Sequence, residues 1–132
     1  MGIVFGINIV LTHLGIDPYM QYAWLSPLMH TLGGFVTTWS LVMLFTTLQK
    51  RYRLKITPEP LVYLCLVAVA LSIGVVWEWY EFLWDTFFGT LYQPTIIDTM
   101  TDLCMDMIGA ALFVLFFLSI QPKKRRSPLR RR

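Results

Sequence analysis

Lysine and arginine are absent from residues 1–49 and again from residues 56–122. Except through the distant basic loop, acids in these stretches have no intramolecular salt bridge as a means of neutralisation. Cysteine is equally scarce. Cys65 and Cys104 are the only two and form no CxxC, which indicates neither a disulfide framework nor a zinc knuckle and leaves packing as their default role. The chain has no GxSxG elbow, no phosphate-binding glycine loop and no HExxH pair. Nucleotide hydrolysis and the familiar serine-hydrolase and metalloprotease centres are therefore unsupported.

What is abundant is apolar surface. The 132 residues are 56% hydrophobic with five tryptophans, a composition that points to the membrane rather than to a soluble domain of this size. Residues 24–48, 61–84 and 98–120 can each cover a hydrocarbon core about 30 Å thick as a helix. The opening run "MGIVFGINIVLTHLGI" is short for a span and reads as a short or tilted first helix, or as a re-entrant or interfacial segment. It has the length of a signal peptide but lacks a basic start and a small-residue cleavage pattern. The expected fold is all-α, a small polytopic bundle of four transmembrane helices over residues 1–121 with a basic tail at 122–132. Three spans with an interfacial N-terminus is the alternative.

Charge is sorted along the chain. All eleven Lys and Arg lie in "KRYRLK" (50–55) or the tail "KKRRSPLRRR" (123–132), while six of eight acids lie between Glu78 and Asp106. The positive-inside rule places both basic segments in the cytoplasm, and two intervening spans bring them to the same side. A multi-pass protein of the cell membrane follows, with both termini cytoplasmic and short outer loops at 17–23 and 86–97. "TPEP" at 57–60 suits a helix start, where a proline lacks a donor that the first turn does not need. The tail is read as an anchor near anionic lipids, with nucleic acid the less economical partner.

The acids form two stripes at helical spacing. Glu78, Glu81 and Asp85 share one side of a helix, as do Asp98, Asp102 and Asp106, followed on nearly the same face by Gly109. The topology puts both stripes in the outer half, with Asp106 deepest, about 12 Å along the helix from Asp98. Carboxylates at that depth are costly and should face inward. Their neutralisation requires either protonation or a bound cation. His13 and His30, the only histidines, fall on the same side, and His30 belongs to the more secure helix. Imidazole with carboxylates suits zinc, manganese or iron, whereas carboxylates with water suit magnesium or calcium. No closed zinc motif is present, so metal identity stays open.

A purely structural account reads the same residues differently. Asp98 would cap the last helix, Asp85 would end in the interface, and Glu78 and Asp102 would share a proton in a packing network. Trp77, Trp79, Tyr80, Trp84 and Tyr92 form an outer aromatic belt, or line an amphipathic ligand. Gly33, Gly34 and "GAA" at 109–111 permit close helix approach. Thr31, Thr37, Thr38 and Thr101 can bond across the interface or within their own helices.

His30 with Gly33-Gly34-Phe35, "WEWYEF" at 77–82 and "DTMTDLCMDMIGAAL" at 98–112 resemble the bacterial YjdF-like membrane proteins and, more distantly, the VanZ-like membrane proteins. The resemblance covers about residues 25–112. It implies that His30, Glu78, Glu81, Asp98 and Asp102 match the family's polar positions, with Asp106 and Gly109 continuing the last motif. Fuller members carry further membrane segments before the His-bearing helix, which implies that a site needing those helices is either incomplete here or completed by an additional membrane subunit. The VanZ-like comparison implies a link to glycopeptide tolerance or envelope lipids.

The leading functional expectation is a cation or cationic ligand held by His30, Glu78, Glu81, Asp98, Asp102 and Asp106, with His30, Glu78, Glu81, Asp102 and Asp106 as the metal set for a divalent ion. The alternatives are a metal-assisted enzyme acting on a lipid phosphate, and a structural membrane component. Self-association is expected, since four short helices offer limited room for an enclosed cavity.

Overall fold

A computed structural model describes residues 24–53 and 59–121. Three helices make up this part: α1 (Leu25–Tyr52), α2 (Glu59–Phe88) and α3 (Ile96–Ile120). At about 1.5 Å per residue each exceeds the ~30 Å hydrocarbon thickness, and all three are long and apolar enough to cross a membrane. The described residues therefore hold three spans where four were expected. The proposed first span and His13 fall within residues 1–23, and the basic tail within 122–132, all outside the described residues.

Local chemistry explains the helix ends. Pro27 and Pro60 sit in first turns, where a missing N–H removes no intrahelical bond. Arg53 closes α1 in the left-handed region (φ 53°), its N–H donating to the Gln49 carbonyl, and Lys50 and Arg51 place positive charge on the negative helix end. Thr95, not Asp98, caps α3: its hydroxyl oxygen accepts the Asp98 N–H at 3.2 Å. Gln121 leaves the helix in an extended conformation because Pro122 disfavours helical geometry in the residue before it.

Burial is the inverse of a soluble protein's. Among the described residues, His30, Thr38, Glu78, Asp102 and Asp106 are buried, against only Val42, Ala70, Ala110 and Phe113 of the hydrophobic side chains. Large apolar side chains, such as Leu44, Leu64, Trp79, Phe87 and Leu115, lie exposed along all three helices. In water that surface would be a severe liability, whereas lipid tails solvate it. The buried strip recurs about every four residues: His30, Gly34, Thr38 and Val42 on α1; Ala70, Gly74 and Glu78 on α2; Asp102, Asp106, Ala110 and Phe113 on α3. Polar residues occupy the half of this strip near the α2–α3 connection, and small or apolar residues the half near the basic segments.

The α1–α3 interface is the most extensive of the three. Its centre is a backbone crossing: a Cβ on Gly34 would overlap the Asp106 backbone, and one on Gly109 would overlap the backbone at Thr31 and Phe35. Hydroxyls mostly return to their own helices, as Thr31 to the Pro27 carbonyl, Thr38 to Gly34 and Thr101 to Ile97, each at 2.8 Å. That local bonding lets them sit in an apolar span without an outside partner.

Candidate functional site

The close α1–α3 approach delivers one histidine into a nest of carboxylates. His30 Nδ1 lies 3.3 Å from Asp106 Oδ2, while Nε2 lies 3.5 Å from Asp102 Oδ2 and 3.8 Å from Glu78 Oε1. Carboxylates from both other helices thus surround a ring that is 6% exposed. Asp106 joins all three helices. Its backbone abuts Gly34, its carboxylate reaches His30, and the same carboxylate occupies the space that a Cβ on Gly74 of α2 would take.

Three further side chains hold the carboxylates in place. Ser26 Oγ donates to Asp102 Oδ2 at 2.9 Å, Gln93 Nε2 donates to Glu78 Oε2 at 2.8 Å, and Trp77 Nε1 donates to Glu81 Oε1 at 2.9 Å. Even so, Glu78 Oε1 and Asp102 Oδ1 are buried with no hydrogen-bond donor among the described residues. Leaving a buried acceptor unsatisfied costs about 1–3 kcal/mol, and more when it is charged. One ligand atom each from His30, Glu78 and Glu81 lies within 4.8 Å of the others, a spacing that a single metal ion could bridge. Imidazole nitrogen with carboxylate oxygen is a donor set suited to zinc, manganese or iron.

Residues of both acidic stripes meet around His30, while other members of the stripes lie elsewhere. His30, Glu78, Glu81, Asp102 and Asp106 come together as expected. Asp98 is half-buried in the first turn of α3, and like Asp102 and Asp106 it stands outside the His30, Glu78 and Glu81 group whose ligand atoms lie within 4.8 Å of one another. Asp85 shares a stripe with Glu78 and Glu81 but serves the connection after α2. It accepts from Thr90 Oγ1, from the Tyr92 N–H at 2.9 Å and from the Gln93 N–H at 2.8 Å. Gly89, at φ 65°, makes the left-handed turn that starts this fold-back, and its N–H donates to the Asp85 carbonyl. Ser26, Gly74 and Gln93 were not expected at the site. A lone glycine in an apolar helix and a glutamine in a loop carry no periodic signal.

Apolar packing closes the cluster on the side toward the basic segments. Phe35 meets Phe113 edge-on at 5.2 Å, Phe113 stacks on Phe117 at 5.8 Å, and Phe117 meets Tyr63 of α2 at 6.1 Å. A second ring series, Trp77, Tyr80, Trp84 and Phe88, climbs α2 beside the acids with centroids 4.3–5.6 Å apart.

A bundle of membrane-spanning helices with an internal His–carboxylate cluster is the class that these features define. The chain belongs to DUF2238, a family described as predicted membrane proteins, whose model matches residues 3–123. The YjdF-like resemblance is consistent with that family, while the VanZ-like one finds no support. No curated protein and no solved structure matches the chain significantly.

Proposed function

We propose that this membrane protein binds a divalent metal ion between its three described helices. The observation that carries the proposal is the pair of buried carboxylate oxygens, Glu78 Oε1 and Asp102 Oδ1, left without donors beside a buried imidazole. No lysine or arginine occurs between residues 56 and 122 to neutralise them. The spacing within 4.8 Å favours a single ion over a bulkier organic cation. In this reading Asp106 accepts the Nδ1–H of His30, which fixes the tautomer and leaves the Nε2 lone pair for the ion, as carboxylates behind metal-ligating histidines commonly do. Glu78, Glu81 and Asp102 supply oxygen ligands, and Asp98 adds negative charge nearer the mouth of the cluster.

The aromatic and small-residue packing below Asp106 supports a blind site rather than a channel, since residues 25–52, 60–77 and 107–120 of the three helices contain no carboxylate. The charge distribution supports an orientation with those segments in the cytoplasm and the site in the outer half. Thiol labelling checks this orientation in a background lacking Cys65 and Cys104. Tyr92→Cys should react with an impermeant reagent from outside and Lys55→Cys should not, and the reverse pattern would overturn it.

The site itself is tested on full-length protein purified in mild detergent without chelator. Metal analysis followed by calorimetric titration of the depleted protein with zinc and manganese should reveal specific binding. Asp102→Asn should weaken it by at least ~10-fold, a loss typical of disrupted metal environments, at unchanged helicity. No bound metal and no heat beyond dilution would contradict the proposal and favour carboxyls that share protons.

A further inference from the structure

Among the side chains touching the cluster, Gln93 alone comes from the connection between α2 and α3, fifteen residues from its partner Glu78. Its reach depends on Asp85. That carboxylate sits about 10 Å farther along α2 than Glu78 and gathers the Thr90 hydroxyl and the Tyr92 and Gln93 N–H groups, folding the connection back over the bundle end. The Gln93 amide thereby meets Glu78 Oε2, while Glu78 Oε1, only 3.8 Å from His30 Nε2, has no donor.

We propose that Gln93 is a further metal ligand, and that its side-chain amide exchanges a donor role for an acceptor role when the site is loaded. This rests on the metal-binding reading above. In the arrangement described, the amide NH2 satisfies a carboxylate oxygen. A cation drawn to Glu78 repels that NH2, whose hydrogens carry partial positive charge, and attracts the amide oxygen. Rotation of the terminal amide by about half a turn exchanges the two groups without moving the backbone, because amide O and N occupy nearly equivalent positions. Amide carbonyls are competent ligands for hard cations and carry no charge. Such a ligand adds an oxygen donor to an already crowded set of anions without adding another negative charge. Asp85 is a positioning residue in this account: it holds the segment from which Gln93 hangs.

The two roles of Gln93 separate under substitution. Gln93→Glu keeps an oxygen and removes the NH2, whereas Gln93→Leu has similar bulk and neither group. Manganese titration of full-length protein in detergent, with helicity and elution volume as folding checks, compares both with the parent and with Glu78→Gln. A ligand role predicts that Gln93→Glu binds manganese at least as tightly as the parent, while Gln93→Leu loses at least ~10-fold. If Gln93 is only a strut for Glu78, the glutamate variant repels its neighbour and binds as poorly as the leucine variant, or worse, which overturns the proposal and leaves the site standing. Unchanged affinity in Gln93→Leu overturns it equally. Absence of manganese binding in the parent, or undiminished binding in Glu78→Gln, defeats the underlying site and this ligand with it. Should either Gln93 variant fail the folding checks, Asp85→Asn supplies the reading: a weakened fold-back should speed manganese release to a chelator, and an unchanged release rate counts against the proposal.

Discussion

The α1–α3 seam and the docking of α2 are built on opposite principles. α1 and α3 meet backbone to backbone, with Gly34 against Asp106 and Gly109 against Thr31 and Phe35, so dispersion contacts over short distances hold them. α2 meets the pair less extensively and at the site end presents Gly74 and Glu78 to the Asp106 and His30 side chains. A glycine thus does different work in each place. At the seam it admits another helix's backbone, and at Gly74 it admits a carboxylate. The seam is consequently a fixed frame, while the position of α2 depends on what happens to the polar groups, and a metal ion ligated by Glu78, Glu81, His30 and Asp102 would tie α2 to that frame.

The largest expected effect comes from breaking the seam. Gly109→Leu drives a side chain into backbone atoms that no rotamer change can clear. It should destabilise the protein by about 3 kcal/mol, the upper end for overpacking, seen as a lowered midpoint of thermal unfolding in mild detergent. A midpoint within error of the parent would show that the crossing is not this tight. Gly74→Ala should be far milder in stability. Its Cβ meets the Asp106 carboxylate, which can turn aside, and alanine's helix propensity offsets about 1 kcal/mol of crowding. Metal affinity should nevertheless fall, because the displaced Asp106 no longer orients His30. Loss of stability matching that of Gly109→Leu, or affinity equal to the parent's, would erase the distinction between frame and docked helix.

How far the sequence disclosed this arrangement follows the same division. Hydropathy located α1, α2 and α3 to within a few residues, because lipid imposes a long apolar run whatever the tertiary structure. The helices extend past those runs at residues 49–52 and 85–88, where helical propensity persists and the chemistry of the helix end, not hydropathy, decides where the helix stops. Four-residue spacing placed Asp102 and Asp106 on one buried face, and the cost of burying acids in lipid correctly sent Glu78 inward. The same spacing could not tell Asp85 from Glu78, since they differ in height along the helix and only the fold-back of the connection gives Asp85 its donors. Asp98 was credited to the site and to the cap, but Thr95 performs the capping from one turn earlier. Gly74 and Gln93 act through partners on other elements or far along the chain, and a single sequence contains no periodicity that reports such a meeting.

The proposed site joins His30 and the facing carboxylates in one metal environment. Zinc-edge X-ray absorption on the loaded, full-length protein tests it most directly. The spectrum should show nitrogen and oxygen ligands at about 2.0–2.2 Å, with an imidazole scattering signature that disappears in His30→Gln. Sulfur at about 2.3 Å, which would implicate Cys65 or Cys104, or an imidazole signal that survives in His30→Gln, would contradict it.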